Sequence, residues 1–377
     1  MRVRIGAFVS CVVACNGKDT HEETDWSCDG ASDVEVCTAS ARSDGDGVIE
    51  ATVPVDGERA FLVTGVADAS STTAVESLWD PDGKKIVDWY DWIVGDHADE
   101  SLTYSFFVAS DTVFNWPIRE VDGSLNDGVY TIGLGTYDTA KEPHVKGDVP
   151  VALTLHKNHG SGYTGGTVHA LVVYADGLGD DPVVTNATEA AVEVWRNVWA
   201  AFGITLDAEF ATSDIDPALP SPGTGASEAE EAADLNDGSH VVVVIGETID
   251  NGFDYLGLTG SIPGALVPTS RSRIAISWLA NAGGDGEFND AELQIYGETL
   301  AHEAGHYTGL FHPVESTYDL WDALDDTEKC TNESQCDAAL GANLMFVWPV
   351  CDAFGCVAQD QLTPEQQGVM HRYAGVY

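Results

Sequence analysis

Short apolar or alternating runs fill residues 48–157. They include Phe61-Leu62-Val63, Ile86-Val87-Asp88-Trp89-Tyr90, Leu102-Thr103-Tyr104-Ser105-Phe106-Phe107-Val108 and Val149-Pro150-Val151-Ala152-Leu153-Thr154-Leu155. Turn dipeptides punctuate them at Asp46-Gly47, Asp56-Gly57, Asp82-Gly83, Asp122-Gly123 and Asp127-Gly128. Period-two alternation broken by Asp-Gly turns is the pattern of antiparallel strands. With no helical period in this stretch, it predicts an all-β sandwich over residues 47–158.

A glycine-rich linker, residues 159–166, then separates two halves, and residues 167–377 change register. Residues 168–174 read as a strand. Asn186 is placed to cap a helix, with Glu189 three residues on closing a capping box. Trp195, Trp199 and Phe202 follow at helical spacing as core residues, and Gly203 supplies a stop. Ile204, Leu206, Ala208 and Phe210 alternate as a strand, and residues 214–226 are a Pro- and Gly-rich loop. Ser227 and Glu230 form a capping box for a short acidic helix. His240-Val241-Val242-Val243-Val244-Ile245 is a buried strand. The alternation of strands and helices predicts an α/β domain over 167–377.

The most specific chemistry lies on a helix expected over residues 290–308, with Asn289 as its cap and Glu292 at the third position. It carries His302-Glu303-Ala304-Gly305-His306, followed by Gly309 and His312. His302 and His306 are four apart, so both imidazoles leave one helical face toward one ion. Glu303 sits where it reaches water on that ion. Gly309 lets the backbone turn out of the helix with positive φ, which returns His312 as a third ligand. Three protein nitrogens leave a position open, the mark of a catalytic zinc site. Chance gives H-E-x-x-H odds of roughly 2%, and demanding Gly309 and His312 multiplies this by about 0.003. Gly305 weakens the helix by up to about 1 kcal/mol relative to Ala, and close approach of a neighbouring backbone would account for it.

These residues resemble the metzincin metallopeptidases, whose long motif is H-E-x-x-H-x-x-G-x-x-H. Asn343-Leu344-Met345-Phe346 then resembles the methionine turn of that group, with Met345 an apolar floor beneath the histidines. Asp325-Asp326-Thr327, Cys330, the Met345 segment and Leu362-Thr363-Pro364-Glu365-Gln366-Gln367 are most similar to the pappalysin branch. The resemblance implies a zinc endopeptidase acting on protein or peptide substrates, with a zinc-bound water activated by Glu303. It also implies calcium as a second cofactor near Asp319, Asp322, Asp325 and Asp326, where a solvated acidic loop is the rival reading. Asp285, Glu287, Asn289 and Asp290 resemble a calcium loop less well. Some metzincins carry a Tyr two residues after the turn Met; here Val347 stands there, leaving Tyr307, Tyr318 or no residue for the oxyanion. The sandwich is similar in pattern to jelly-roll accessory domains beside secreted bacterial peptidases. An inactive, surface-binding lipoprotein and a zinc hydrolase of a non-peptide bond are the alternative functions.

Export is the remaining expectation. Met1-Arg2-Val3-Arg4 is a short basic region before an apolar run over residues 5–14, too short to span a bilayer as a mature helix. Val12-Val13-Ala14-Cys15 resembles the bacterial lipobox, so residues 1–14 read as a lipoprotein signal peptide with Cys15 lipidated, followed by a polar tether over 15–46. Six further cysteines fit disulfides in an exported protein. Cys28 pairs with Cys37 by their isolation, while Cys330, Cys336, Cys351 and Cys356 allow three connectivities in an irregular C-terminal subdomain. Their spacing lacks the C-x-x-C pairs of a structural zinc cluster. Finally, 62 acidic against 16 basic side chains give a formal charge of −46. That charge repels phosphate and so excludes nucleic acid as a partner. It suits a cation-rich habitat, and leaves the oligomeric state open.

Overall fold

The computed structural model describes residues 23–29, 33–138, 145–223, 235, 240–352 and 355–377. The signal segment, Cys15 and the Ser227–Glu230 capping box lie outside the described residues. No helix among those described is long and apolar enough to cross a membrane.

The first half is built from two antiparallel sheets. One contains β1 (Ser27–Asp29), β2 (Val34–Arg42), β4 (Ala60–Ala67), β7 (Asp111–Trp116) and β9 (Pro150–Asn158), in the order β1-β2-β9-β4-β7. The other orders β3 (Val48–Val55), β8 (Gly128–Asp138), β5 (Ser71–Trp79) and β6 (Lys85–Asp88) as β3-β8-β5-β6. Alternating side chains such as Ala51, Val53, Leu153 and Leu155 are buried. The stretch expected as a polar tether is partly structural, because β2 pairs with the whole length of β9 from Arg42 to Val34. Two other expectations change. The strand through Ile86 stops at Asp88, whose carboxylate accepts from the Tyr90 amide and caps a short helix, Trp89–Ile93. Residues 102–108 alternate like a strand but turn through a 3-10 helix, Tyr104–Phe106, capped by Thr103. The Ser105 hydroxyl turns inward and bonds the main chain of Val113.

In the second half, β10 (Gly166–Tyr174), β11 (Ile204–Thr212), β12 (Val241–Gly246) and β14 (Arg273–Ser277) run parallel. The antiparallel β13 (Gly257–Thr259) closes one edge, in the order β11-β10-β12-β14-β13. Helix α1 (Pro182–Ala201) begins earlier than Asn186 predicts. Pro182 occupies its first turn and Asp181 accepts from the Val183 amide, so Asn186 lies inside the helix. Trp195 and Trp199 are fully buried and meet edge to face, and the Trp199 indole donates to the Ala301 carbonyl of α2 (Asp290–Tyr307). Beyond it lie α3 (Glu333–Leu340) and α4 (Pro364–Arg372).

The largest apolar core, from Cys37 to Val376, runs through both halves, and two smaller clusters, around Val244 and around Phe346, lie in the second. The expected linker is tied down: Arg59 donates to the Gly162 carbonyl at 2.6 Å and Tyr163 to the Arg59 carbonyl. Asn158 donates to Ala374 and Val376, and Asn115 to Arg372, so the C-terminal residues are clamped to the sandwich.

The described cysteines form three disulfides, Cys28–Cys37, Cys330–Cys336 and Cys351–Cys356, the last two on either side of Met345. Pairing of near neighbours in sequence resolves the open connectivity and leaves no thiolate for a zinc cluster.

Candidate metal centre and its cleft

Asn289 caps α2 through the Ala291 and Glu292 amides, and the Glu292 carboxylate returns to the Asn289 amide. The helix ends at Tyr307; Gly309 then adopts φ 110° and the chain doubles back. Three imidazoles converge there. Nε2 of His312 lies 3.1 Å from Nε2 of His306 and 3.3 Å from Nε2 of His302. Each outer nitrogen faces an oxygen that can only accept: Nδ1 of His302 meets the Leu344 carbonyl at 2.7 Å, and Nδ1 of His306 the Leu310 carbonyl at 2.6 Å. Nδ1 of His312 meets the Glu315 carboxylate at 3.1 Å. All three protons therefore sit on Nδ1, and three Nε2 lone pairs point at one another. Burial holds His302 down at about 3 and His306 well below its ordinary range, with mutual repulsion among the rings adding to the effect.

Neutral lone pairs at such spacing repel unless a cation lies between them. A tetrahedral zinc with Zn–N near 2.05 Å requires N···N of about 3.3 Å. The donor set fits that ion, and the oxygens on Nδ1 fix the ring tautomers. Two other donor groups lie close enough for one ion among the described residues. Cys28 and Cys37, with Glu35, are consumed by their disulfide. Glu35 and Glu58, beside His159, already pair with the Lys157 ammonium. Among the described residues no such group includes Asp319, Asp322, Asp325 or Asp326, so no side-chain cluster there supports the calcium expectation. Asp322 accepts from Thr327 and the Leu324 amide, while Asp325 and Asp326 brace the Glu365 end of α4. Asn289 and Asp285 likewise serve as local turn and helix caps.

Glu303 is buried beside the cluster, and desolvation raises its carboxyl to about 7 against the opposing hydrogen bond from Thr259. The Thr259 hydroxyl lies 2.7 Å from Oε2 and 2.7 Å from the Glu303 carbonyl. Beneath the histidines, Met345 is fully buried, its amide donating to Asn343 Oδ1 at 2.9 Å. Asn343 in turn donates to Gln366 of α4 at 2.7 Å. The neighbour that excludes a side chain at Gly305 is a sulfur rather than a backbone: a Cβ there would stand 2.6 Å from Met345 Sδ. Tyr307 is turned away, its hydroxyl donating to Ala265. Tyr318 packs edge-on to Trp348.

The cleft over the histidines encloses about 850 Å³. One wall comes from β13 and the other from residues 92–107 of the first half, among them Leu102, Tyr104 and Phe107. A smaller cavity of about 220 Å³, lined by Glu298, Tyr255 and Val347, adjoins the cleft at His302 and Glu303. The motif brought His302, Glu303, His306, His312 and Met345 together. It carried no signal for Thr259, which is distant in sequence. Glu315 had one weak signal, an acid three residues beyond His312.

No protein-family model matches the chain, and comparison with curated proteins gives no match either. Among solved structures it is similar to metalloproteinase-II from Bacteroides fragilis, at 13% identity over 54% of this chain and 52% of that one, with a TM-score of 0.30. It is similar to myroilysin at 12% identity over 54% of this chain and 90% of that one, with a TM-score of 0.24. The chain thus spans about half the length of the Bacteroides protein.

Proposed function

We propose that the chain is a zinc-dependent endopeptidase, exported and held in a bacterial envelope by lipid on Cys15. The observation that carries the catalytic reading is the convergence of three Nε2 lone pairs beside a buried carboxylate. Zinc bound there supplies Lewis-acid polarisation of a carbonyl and acidifies water. His302, His306 and His312 hold the ion, each ring oriented through its Nδ1–H. Glu303 accepts the proton of the attacking water and passes it to the departing amine nitrogen as the C–N bond breaks. Thr259 occupies one carboxylate oxygen and leaves the other for that proton. The β13 edge offers main-chain groups to an extended substrate strand alongside the cleft.

Zinc content and peptide hydrolysis, measured together, test this. Glu303→Gln should retain about one zinc per chain and lose at least ~10²-fold in turnover. His312→Ala should lose metal and activity together. Full activity in Glu303→Gln removes the mechanism, and an inactive wild type that holds zinc favours the binding-lipoprotein alternative. Cys15→Ser should abolish membrane fractionation; unchanged fractionation with no acyl mass on the N-terminal peptide overturns the anchor.

A further inference from the structure

Exposed apolar side chains scattered singly need no explanation, but three on the first half are contiguous. Tyr104 is 45% exposed, Phe107 54% and Val108 45%. They stand beside the catalytic-half cleft. Tyr104 and Phe107 line both the 850 Å³ cleft over the histidines and an adjoining groove of about 400 Å³ that runs past Thr259, Ile262 and Arg271. They form a ridge facing the β13 edge, at the seam of the two spaces.

The main chain of the ridge is fixed and its Tyr104 ring is packed, although both residues remain about half exposed. The Tyr104 amide donates to the Ile262 carbonyl at 2.9 Å, and the Phe107 amide to the Tyr104 carbonyl at 3.0 Å. The Tyr104 ring stacks on Phe311, next to the ligand His312, with centroids 6.4 Å apart and planes at 7°. The Arg271 guanidinium lies 5.5 Å over the same ring and is itself fixed by the Gly260 carbonyl at 2.7 Å. The Tyr104 and Phe107 rings are 5.6 Å apart. Half-exposed rings on a fixed main chain offer apolar surface at a reduced ordering cost.

We propose that Tyr104 and Phe107 are specificity-determining residues, contributed by the sandwich half, that receive a large apolar side chain of the substrate near the scissile bond. This rests on the peptidase reading above. A peptide extended along β13 presents alternate side chains to opposite sides, and those facing the first half meet this ridge. Burying a large apolar side chain there discriminates by at least about tenfold against alanine.

The test separates the two readings. Wild type, Tyr104→Ala and Phe107→Ala are given a peptide library, and Glu303→Gln with and without Phe107→Ala is titrated with zinc and two peptides, one bearing Leu and one Ala at the position the library selects, or at the central position where no cut occurs. The expected result is a wild-type preference for large apolar residues at one fixed distance from the cut. Each ridge variant then loses at least tenfold in kcat/KM on the Leu peptide and little on the Ala peptide, with zinc content unchanged. In the Glu303→Gln background, Phe107→Ala should weaken the Leu peptide at least tenfold in Kd and the Ala peptide less than twofold. Equal effects on both peptides overturn the proposal, as does absence of binding by either. Faster cleavage of every peptide by the ridge variants makes the ridge an occluding element and overturns it too. If wild type cuts nothing but Phe107→Ala still weakens only the Leu peptide, the peptidase reading fails and the ridge assignment stands.

Discussion

Gly257 lacks a side chain because Glu303 occupies the place one would take. A Cβ there would stand 2.6 Å from Glu303 Cγ and 2.8 Å from Ile276 Cδ1. Both side chains are buried, and the contact with Glu303 is the shorter, so a Cβ at Gly257 presses first on Glu303. Gly257→Ala is therefore expected to displace Glu303, the proposed general base, while leaving the three imidazoles in place: zinc content stays near wild type and turnover falls by about 10-fold or more, on the scale of a misplaced catalytic group. Parallel metal analysis and peptide kinetics check this, and loss of zinc in the variant would refute the assignment. The same logic explains Gly305, where helix propensity is given up so that Met345 sulfur fits under the histidines.

At the scale of elements, what was legible was local. The α2 capping box and the i, i+4 histidines need only neighbours in sequence, and the helix runs Asp290–Tyr307 as its signals predict. Residues 102–108 were not legible, because the side chains of Thr103 and Ser105 bond the main chain and turn an alternating stretch into a 3-10 corner. Nor was the contribution of that corner to the cleft, which tertiary contacts alone bring there. Glu100–Ser101 pairs with Trp321–Asp322 beyond His312, and Lys329 reaches Glu100 at 2.6 Å. Within that pairing Asp322 is buried, with Oδ2 unbonded, and desolvation raises its carboxyl to about 7 from an ordinary 3.8. A carboxyl whose folded pKa stands above its unfolded value contributes stability below about pH 4 and loses it as pH rises through about 7. Asp322→Asn keeps Oδ1 as acceptor for Thr327 and Leu324 and removes the charge. Its melting temperature should exceed wild type at pH 8, with the difference closing toward pH 4. A variant less stable than wild type at pH 8 would show that the ionised group has a favourable partner.

On the scale of the whole molecule, stability is a contest between a large apolar core and a heavily charged surface. The core spans both halves, and Asn115, Asn158 and Arg59 hold the C-terminal residues against the sandwich. Against it stand 62 acidic and 16 basic side chains, a formal −46. The exposed ion pairs, such as Arg42 with Asp148 and Lys85 with Asp88, offset little of that, since pairs of this kind contribute about 0–1 kcal/mol each. With 16 cations for 62 acids, most acidic charge is left without a cation to offset it. Expansion on unfolding relieves this repulsion, so net charge far from zero lowers the stability of the compact state. Salt shortens the range of the repulsion from about 10 Å at 0.1 M to about 3 Å at 1 M. Screening the few surface pairs costs less than screening the many like-charge contacts returns. The melting temperature should therefore climb between 0.15 M and molar NaCl. Part of the same rise should appear with tetramethylammonium chloride, which screens without binding carboxylates. A curve that is flat or falling over that range would mean the acids are locally compensated, and the acidity would no longer count as adaptation to a cation-rich medium.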